Sequence, residues 1–116
     1  MDSKDIVSIA VKALEDKKCE NIKIIDISTV SILGDYFIIG EGNNPNQIQA
    51  ICNNADDMLG REGINPRQIE GYNNANWILM DYGDVIIHIF DKENRSFYNL
   101  ERIWKDGTEL DISQFR

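Results

Sequence analysis

The side chains best suited to acid–base or metal chemistry lie close together in one segment. His88 is the only histidine, and Asp81 and Asp84 precede it on either side of Gly83. A neutral imidazole can serve as a general base or a metal ligand, and paired carboxylates can hold Mg²⁺ for phosphoryl or nucleotidyl transfer. Aspartate is also common in tight turns, and a lone histidine is often half-buried and hydrogen-bonded to a neighbour. From these residues alone we favour the turn and the half-buried histidine.

No other segment carries a recognisable catalytic pattern. Gly40 and Gly42 precede a helix start, where backbone amides can hold an anion, but their spacing matches neither the dinucleotide-binding nor the P-loop pattern. Cys19 and Cys52 are too few and too far apart for a disulfide scaffold or a zinc knuckle, so we expect buried, reduced thiols. We therefore expect no catalytic residues, no bound metal and no cofactor.

Two large aromatic residues lie on one predicted strand. Side chains alternate along a strand, so Trp77 and Tyr82 fall on opposite faces. If helices cover one face of the sheet fully and the other in part, at least one of these aromatics is exposed. Exposed Trp and Tyr are typical anchors of protein interfaces. The alternative, in which both belong to the core, stays open on the pattern alone.

The charge balance narrows the choice of partner. Lys and Arg number 12 and Asp and Glu number 20, which gives a net charge of −8 over 116 residues. Such a chain repels phosphate, so we expect a basic protein surface, a cation or no particular partner rather than nucleic acid. No apolar run approaches the roughly 20 residues that cross a bilayer, and no secretion signal is visible. We therefore expect a cytoplasmic protein, or one of an organelle matrix if a leader has been lost, without a membrane partner.

Hydrophobic periodicity predicts a single α/β domain with a mixed sheet covered by helices. The predicted elements, in chain order, are a helix over 3–17, strands over 22–28 and 35–40, a helix from Asn44 to Gly63, strands over 67–71, 77–82 and 84–90, and a helix over 95–105. Gly83 is expected to form a tight hairpin turn. Phe97, Leu100 and Trp104 share one side of the last helix, and little pattern is visible after residue 107.

Two motifs carry a resemblance to a known family. Residues 77–88 read W-x-x-x-D-x-G-D-x-x-x-H, and residues 95–104 read R-x-F-Y-x-L-E-x-x-W. Their joint presence resembles the ribosomal silencing factor (Iojap) family. The upstream segments that agree with the family are 26–28, 35–39 and 70–71.

The resemblance covers about residues 3–106 and implies a family domain over residues 1–107, followed by a C-terminal tail over residues 108–116. It also implies a fold distantly similar to nucleotidyltransferases. Those enzymes need a Gly-Ser dipeptide and two metal-binding carboxylates spaced Asp-x-Asp on a strand. Here Gly34 is followed by Asp35, and no Asp-x-Asp sequence occurs. We therefore expect a nucleotidyltransferase-like fold without the catalytic residues. A metal-dependent enzyme of that kind is the alternative.

The function that the resemblance implies is repression of translation. The family binds ribosomal protein fourteen of the large ribosomal subunit and sterically blocks joining of the small subunit when nutrients are short. A homodimer is an alternative use of the same surface. The residues to which the resemblance transfers the binding role are Trp77 and Met80 as apolar anchors, Asp81 and Asp84 as acceptors for basic side chains, and Tyr82, His88 and Tyr98 as supporting members.

Overall fold

The helices and strands follow the predicted order over most of the chain. The computed structural model describes residues 2–32 and 34–116. The elements, in chain order, are α1 (Ser3–Asp16), β1 (Glu20–Asp26), β2 (Tyr36–Gly42), α2 (Pro45–Arg61), β3 (Gln68–Glu70), β4 (Trp77–Asp81), β5 (Val85–Asp91), α3 (Lys92–Tyr98), α4 (Leu100–Ile103), β6 (Thr108–Leu110) and a 3-10 turn (Ile112–Phe115). Within the described ranges, no helix combines the length and the apolar character needed to cross a bilayer.

The strands of residues 2–32 and 34–116 form a six-stranded mixed sheet with the order β3-β4-β5-β2-β1-β6. β2 pairs in parallel with β5 and antiparallel with β1, and the other neighbouring strands are antiparallel. Every residue of β2 is buried, as expected for an apolar strand that is covered on both faces. The predicted α/β fold with a mixed sheet is confirmed.

Helices cover the two faces of the sheet unequally. α1 and α2 pack on one face, where their apolar stripes form the larger core. On the other face, α3 and α4 bring Leu100 and Trp104 against Ile25, Phe37 and Phe90. This smaller core lies over β1, β2 and β5. The alternate residues of β3 and β4 on that face consequently stay exposed or half-exposed.

The last predicted helix is interrupted. The prediction of one helix over 95–105 is wrong, because α3 ends at Tyr98 and α4 begins at Leu100. Asn99 between them has a φ of 45°, a left-handed conformation that Asn adopts more readily than most residues. Phe97 is exposed, whereas Leu100 stays packed on the sheet. The prediction from a continuous helix, which places Phe97 and Leu100 on the same side, is therefore wrong for Phe97.

The C-terminal residues differ from the expectation of a segment with little pattern. Residues 108–110 form β6, which pairs antiparallel with β1 at the edge of the sheet. The Phe115 side chain is buried and meets the Tyr36 ring edge-on at a centroid distance of 6.4 Å. Arg116 Nη2 lies 2.6 Å from the Glu15 carboxylate. A three-residue strand is too short to show a period in the sequence.

A buried ion-pair cluster holds α3 on the sheet. Arg95 of α3 donates from Nη1 to Glu41 of β2 at 3.0 Å and from Nε to Glu101 of α4 at 2.9 Å. Arg95 and Glu41 are both buried. Removing one partner of such a pair leaves a charge without compensation in a weakly polar environment. The cluster therefore constrains where α3 and α4 lie on the sheet.

Glu41→Ala should lower the free energy of unfolding by about 3–5 kcal/mol, because buried Arg95 would lose one of its two carboxylates. The matched control is Glu20→Ala. It removes an exposed ion pair between Glu20 of β1 and Lys92 of α3 and should lower the free energy of unfolding by about 0–1 kcal/mol. Urea unfolding of both variants measures the difference. Equal losses would show that the buried cluster does not hold α3.

Candidate functional site

Alternation along β4 points Trp77, Leu79 and Asp81 toward the partly covered face of the sheet. The register of β4 on β5 places Trp77 opposite Phe90 and Asp81 opposite Ile86. Trp77, Leu79, Asp81 and Ile86 are all half-buried. The sheet thus presents a row of apolar side chains that ends in a carboxylate.

An aromatic cluster runs from this part of the sheet onto α3. The Trp77 ring stacks on Phe90 at a centroid distance of 5.0 Å and meets Tyr98 at 4.6 Å, and Tyr98 meets Phe97 edge-on at 5.1 Å. Phe97 is 78% exposed and Tyr98 is 41% exposed. Exposed aromatic side chains in one patch are typical of interaction surfaces. We define the open face as the surface formed by Trp77, Leu79, Asp81, Ile86, Phe97 and Tyr98.

The loop before β4 fixes the position of Trp77. Gly71 has a φ of +81°, and a Cβ there would overlap the Trp77 carbonyl oxygen, so glycine is required. The N–H of Ala75 donates to the Gly71 carbonyl at 3.0 Å, and the N–H of Asp91 donates to the Asn76 carbonyl at 3.1 Å. These contacts join the loop to the start of β4 and to the end of β5.

His88 lies behind Trp77 and is only 4% exposed. The Trp77 Nε1–H donates to His88 Nδ1 at 3.1 Å, and no described residue pairs with His88 Nε2. Burial lowers the pKa of His88 from 6.5 to about 4, so the imidazole is neutral near pH 7. This places His88 beneath the open face rather than on it.

The turn between β4 and β5 uses Asp81 in the way that turn chemistry predicts. The N–H of Gly83, whose φ is +87°, donates to Asp81 Oδ1 at 2.8 Å. The N–H of Tyr82 donates to the Val85 carbonyl at 2.9 Å and closes the hairpin. Asp84 is exposed. Asp81 is thus engaged in the turn, whereas the Asp84 carboxylate is accessible at the rim of the open face.

Met80 and Tyr82 lie on the other face of the sheet. Met80 has no exposed surface and packs in the larger core, so its prediction as an apolar anchor is wrong. The two-residue period of a strand puts Leu79, rather than Met80, on the same face as Trp77. Tyr82 packs against the larger core, and burial raises the pKa of its hydroxyl. Neither side chain belongs to the open face.

Three residues of the open face, Leu79, Ile86 and Phe97, have no binding role in the predictions from sequence. Leu79 carried a usable signal, because it lies two residues from both Trp77 and Asp81 on a predicted strand. Phe97 belongs to the R-x-F-Y motif, but a continuous helix would place it with Leu100 on the buried side. Only the break at Asn99 separates the two.

The described residues contain no cluster of side chains that could hold a metal ion. Among residues 2–32 and 34–116, no three His, Cys, Asp or Glu side chains converge as metal ligands. Asp81 accepts from the N–H of Gly83 in the turn, and His88 accepts from the Trp77 indole. The thiols of Cys19 and Cys52 are free, and burial raises the pKa of each to about 12. The open face instead suits a surface with apolar and basic groups.

Acid should destabilise the protein through His88. Its pKa is about 4 in the folded chain and 6.5 ordinarily, so the unfolded chain binds more protons between these values. The folded chain therefore has its full stability above pH 6.5, where His88 is neutral in both states. Its free energy of unfolding falls as the pH drops toward 4. The stability of the native chain relative to His88→Asn should fall by about 2 kcal/mol between pH 7 and pH 5. Urea unfolding of both proteins measures it, and a difference independent of pH would contradict the buried neutral imidazole.

The sequence is similar to those of known proteins over nearly its whole length. The family model described as "Ribosomal silencing factor during starvation" matches residues 1–116. A ribosomal silencing factor of Bacillus subtilis (strain 168) is 41% identical over 112 residues, which cover 97% of this chain and 95% of that protein. One of Halalkalibacterium halodurans is 36% identical over 112 residues, which cover 97% of this chain and 96% of that protein.

A solved structure gives the same result for the fold. The crystal structure of a protein from Chromobacterium violaceum is similar with a TM-score of 0.89 and 30% identity, and the match covers 96% of this chain and 92% of that one. Sequence and structure thus agree over nearly the whole length. The chain belongs to the ribosomal silencing factor family.

Proposed function

We propose that this chain binds the large ribosomal subunit through ribosomal protein fourteen and thereby prevents the small subunit from joining. The observation that carries the proposal is the aromatic cluster of half-buried Trp77 with exposed Tyr98 and Phe97 on the partly covered face of the sheet. The relatives are named ribosomal silencing factors. Repression of translation in the cytoplasm during nutrient limitation is the function that follows.

The charge of the chain supports a protein partner on an RNA-rich particle. A net charge of −8 is repelled by ribosomal RNA, whereas a basic ribosomal protein attracts it. Exposed acids at the edge of the open face include Asp84 and Glu70. Rim charges of this kind raise the rate of encounter and select against partners of the same charge. Association should consequently slow as the ionic strength rises.

The dimensions of the molecule support a steric mechanism. A specific interface of standard size buries about 800 Å² on each partner, which is a small part of the 6412 Å² accessible surface of this chain. The body measures 34 × 33 × 26 Å along its principal axes. Most of that body would remain outside the contact. If the contact lies on the subunit-joining side, the body occupies space that the small subunit needs.

The double variant Tyr98→Ala with Asp84→Lys should raise the Kd for isolated large subunits at least about 30-fold. It removes an aromatic anchor and reverses a rim charge, and truncation of one such anchor costs about 2 kcal/mol or more. Both side chains are exposed, so the fold should persist. Sucrose-gradient sedimentation with separated subunits measures binding, and circular dichroism checks folding.

The matched control is Glu62→Lys, which makes the same charge reversal at an exposed site just after α2, the helix that covers the opposite face of the sheet. It should bind large subunits as the native chain does. Undiminished binding of the double variant, or binding of the native chain to small subunits alone, would refute the proposed surface. Self-association that is lost in the double variant, without any subunit binding, would assign the open face to a second copy of the chain.

The proposal includes no catalysis. Calorimetric titration of the chain with ATP or CTP in the presence of Mg²⁺ should give no binding heat, because no three His, Cys, Asp or Glu side chains of the described residues converge as ligands for the metal. Saturable heat that is lost in Asp81→Asn would instead favour the nucleotidyltransferase alternative. Asp84→Asn serves as the comparison, since the two carboxylates would act together at a metal.

A further inference from the structure

The Trp77 side chain uses its only hydrogen-bond donor inside the protein. Its Nε1–H donates to His88 Nδ1 at 3.1 Å, on the buried side of the ring. The indole therefore has no N–H left to offer to a partner. What Trp77 contributes to the open face is the ring itself, which packs on Phe90 and Tyr98.

The hydrogen bond defines the tautomer of His88. Because Nδ1 accepts, the proton of the neutral imidazole is on Nε2. No described residue accepts from Nε2, and the surrounding rings include Phe37 at a centroid distance of 4.7 Å and Phe90 at 6.2 Å. A buried donor without an acceptor is destabilising. A phenylalanine would fill this aromatic environment without that cost, so the imidazole is explained by the acceptor that it supplies to Trp77.

We propose that His88 is a positioning residue that fixes the indole of Trp77 in the open face. It acts through the hydrogen bond and not by contact with the partner, since only 4% of its surface is exposed. The Trp77 ring in turn supports Tyr98, so the geometry of the aromatic cluster depends on a residue beneath it. Pre-ordering a side chain before binding removes part of the entropy cost of association. The consequence for binding rests on the proposed function, whereas the hydrogen bond itself does not.

Two substitutions at His88 separate the acceptor from the rest of the side chain. His88→Phe keeps a ring and removes the acceptor, while His88→Asn places an amide oxygen near the position of Nδ1. In protein labelled with ¹⁵N-tryptophan, Trp77→Phe assigns the Trp77 indole N–H against that of Trp104. Solvent exchange of this proton should accelerate at least about tenfold in His88→Phe. Exchange should stay close to native in His88→Asn.

Large-subunit binding completes the test. We expect His88→Phe to weaken binding about tenfold and His88→Asn to stay within about threefold of the native chain. Ile87→Val is the control, because it alters the same strand on the opposite, buried face. If His88→Phe does not fold, Trp77→Phe replaces it, since it removes the donor and should weaken binding similarly. When both variants fold, their effects should not add.

The outcomes separate this proposal from the proposed function. Native indole exchange in His88→Phe, or native subunit binding despite fast exchange, would overturn the positioning role and leave the docking surface standing. A native chain that binds no large subunits would refute the proposed function instead. In that case the indole exchange rates alone decide whether His88 positions Trp77.

Discussion

The buried ion pair between Arg95 and Glu41 determines which part of the second sheet face is covered. It joins α3 to β2, and Glu101 extends the cluster to α4. The two short helices therefore lie over β1, β2 and β5, and β4 is left half-exposed. Together with the packing of Leu100 and Trp104 on the sheet, this anchor keeps Phe97 and Tyr98 beside Trp77. The open face is thus a consequence of where α3 is held.

The surface that results combines rigidity with exposure. Gly71 fixes the start of β4 and His88 holds the indole of Trp77 from beneath. Interface anchors that are ordered before binding lose less conformational entropy when a partner arrives. The acidic rim then acts at longer range and favours basic protein over RNA. In the proposed function, packing of these side chains supplies the affinity, and the −8 charge favours a basic protein as the partner.

Much of the fold could be predicted from periodicity and turn chemistry. The mixed sheet, the hairpin at Gly83 and the turn role of Asp81 all follow from local patterns. The site was less accessible to sequence reasoning. The family resemblance implies a surface role for Met80, although strand alternation places it in the core. The break at Asn99 depends on one left-handed residue, and a residue-type pattern does not reveal it.

The most direct test of binding through the open face is hydrogen–deuterium exchange of the chain with and without purified large ribosomal subunits. Binding through the open face should slow amide exchange over residues 77–84 and 92–99, the segments that form the open face and its rim. α2 (Pro45–Arg61), which covers the opposite face, should exchange at the same rate in both states. Protection confined to α2, or binding without protection of residues 77–84 and 92–99, would contradict it.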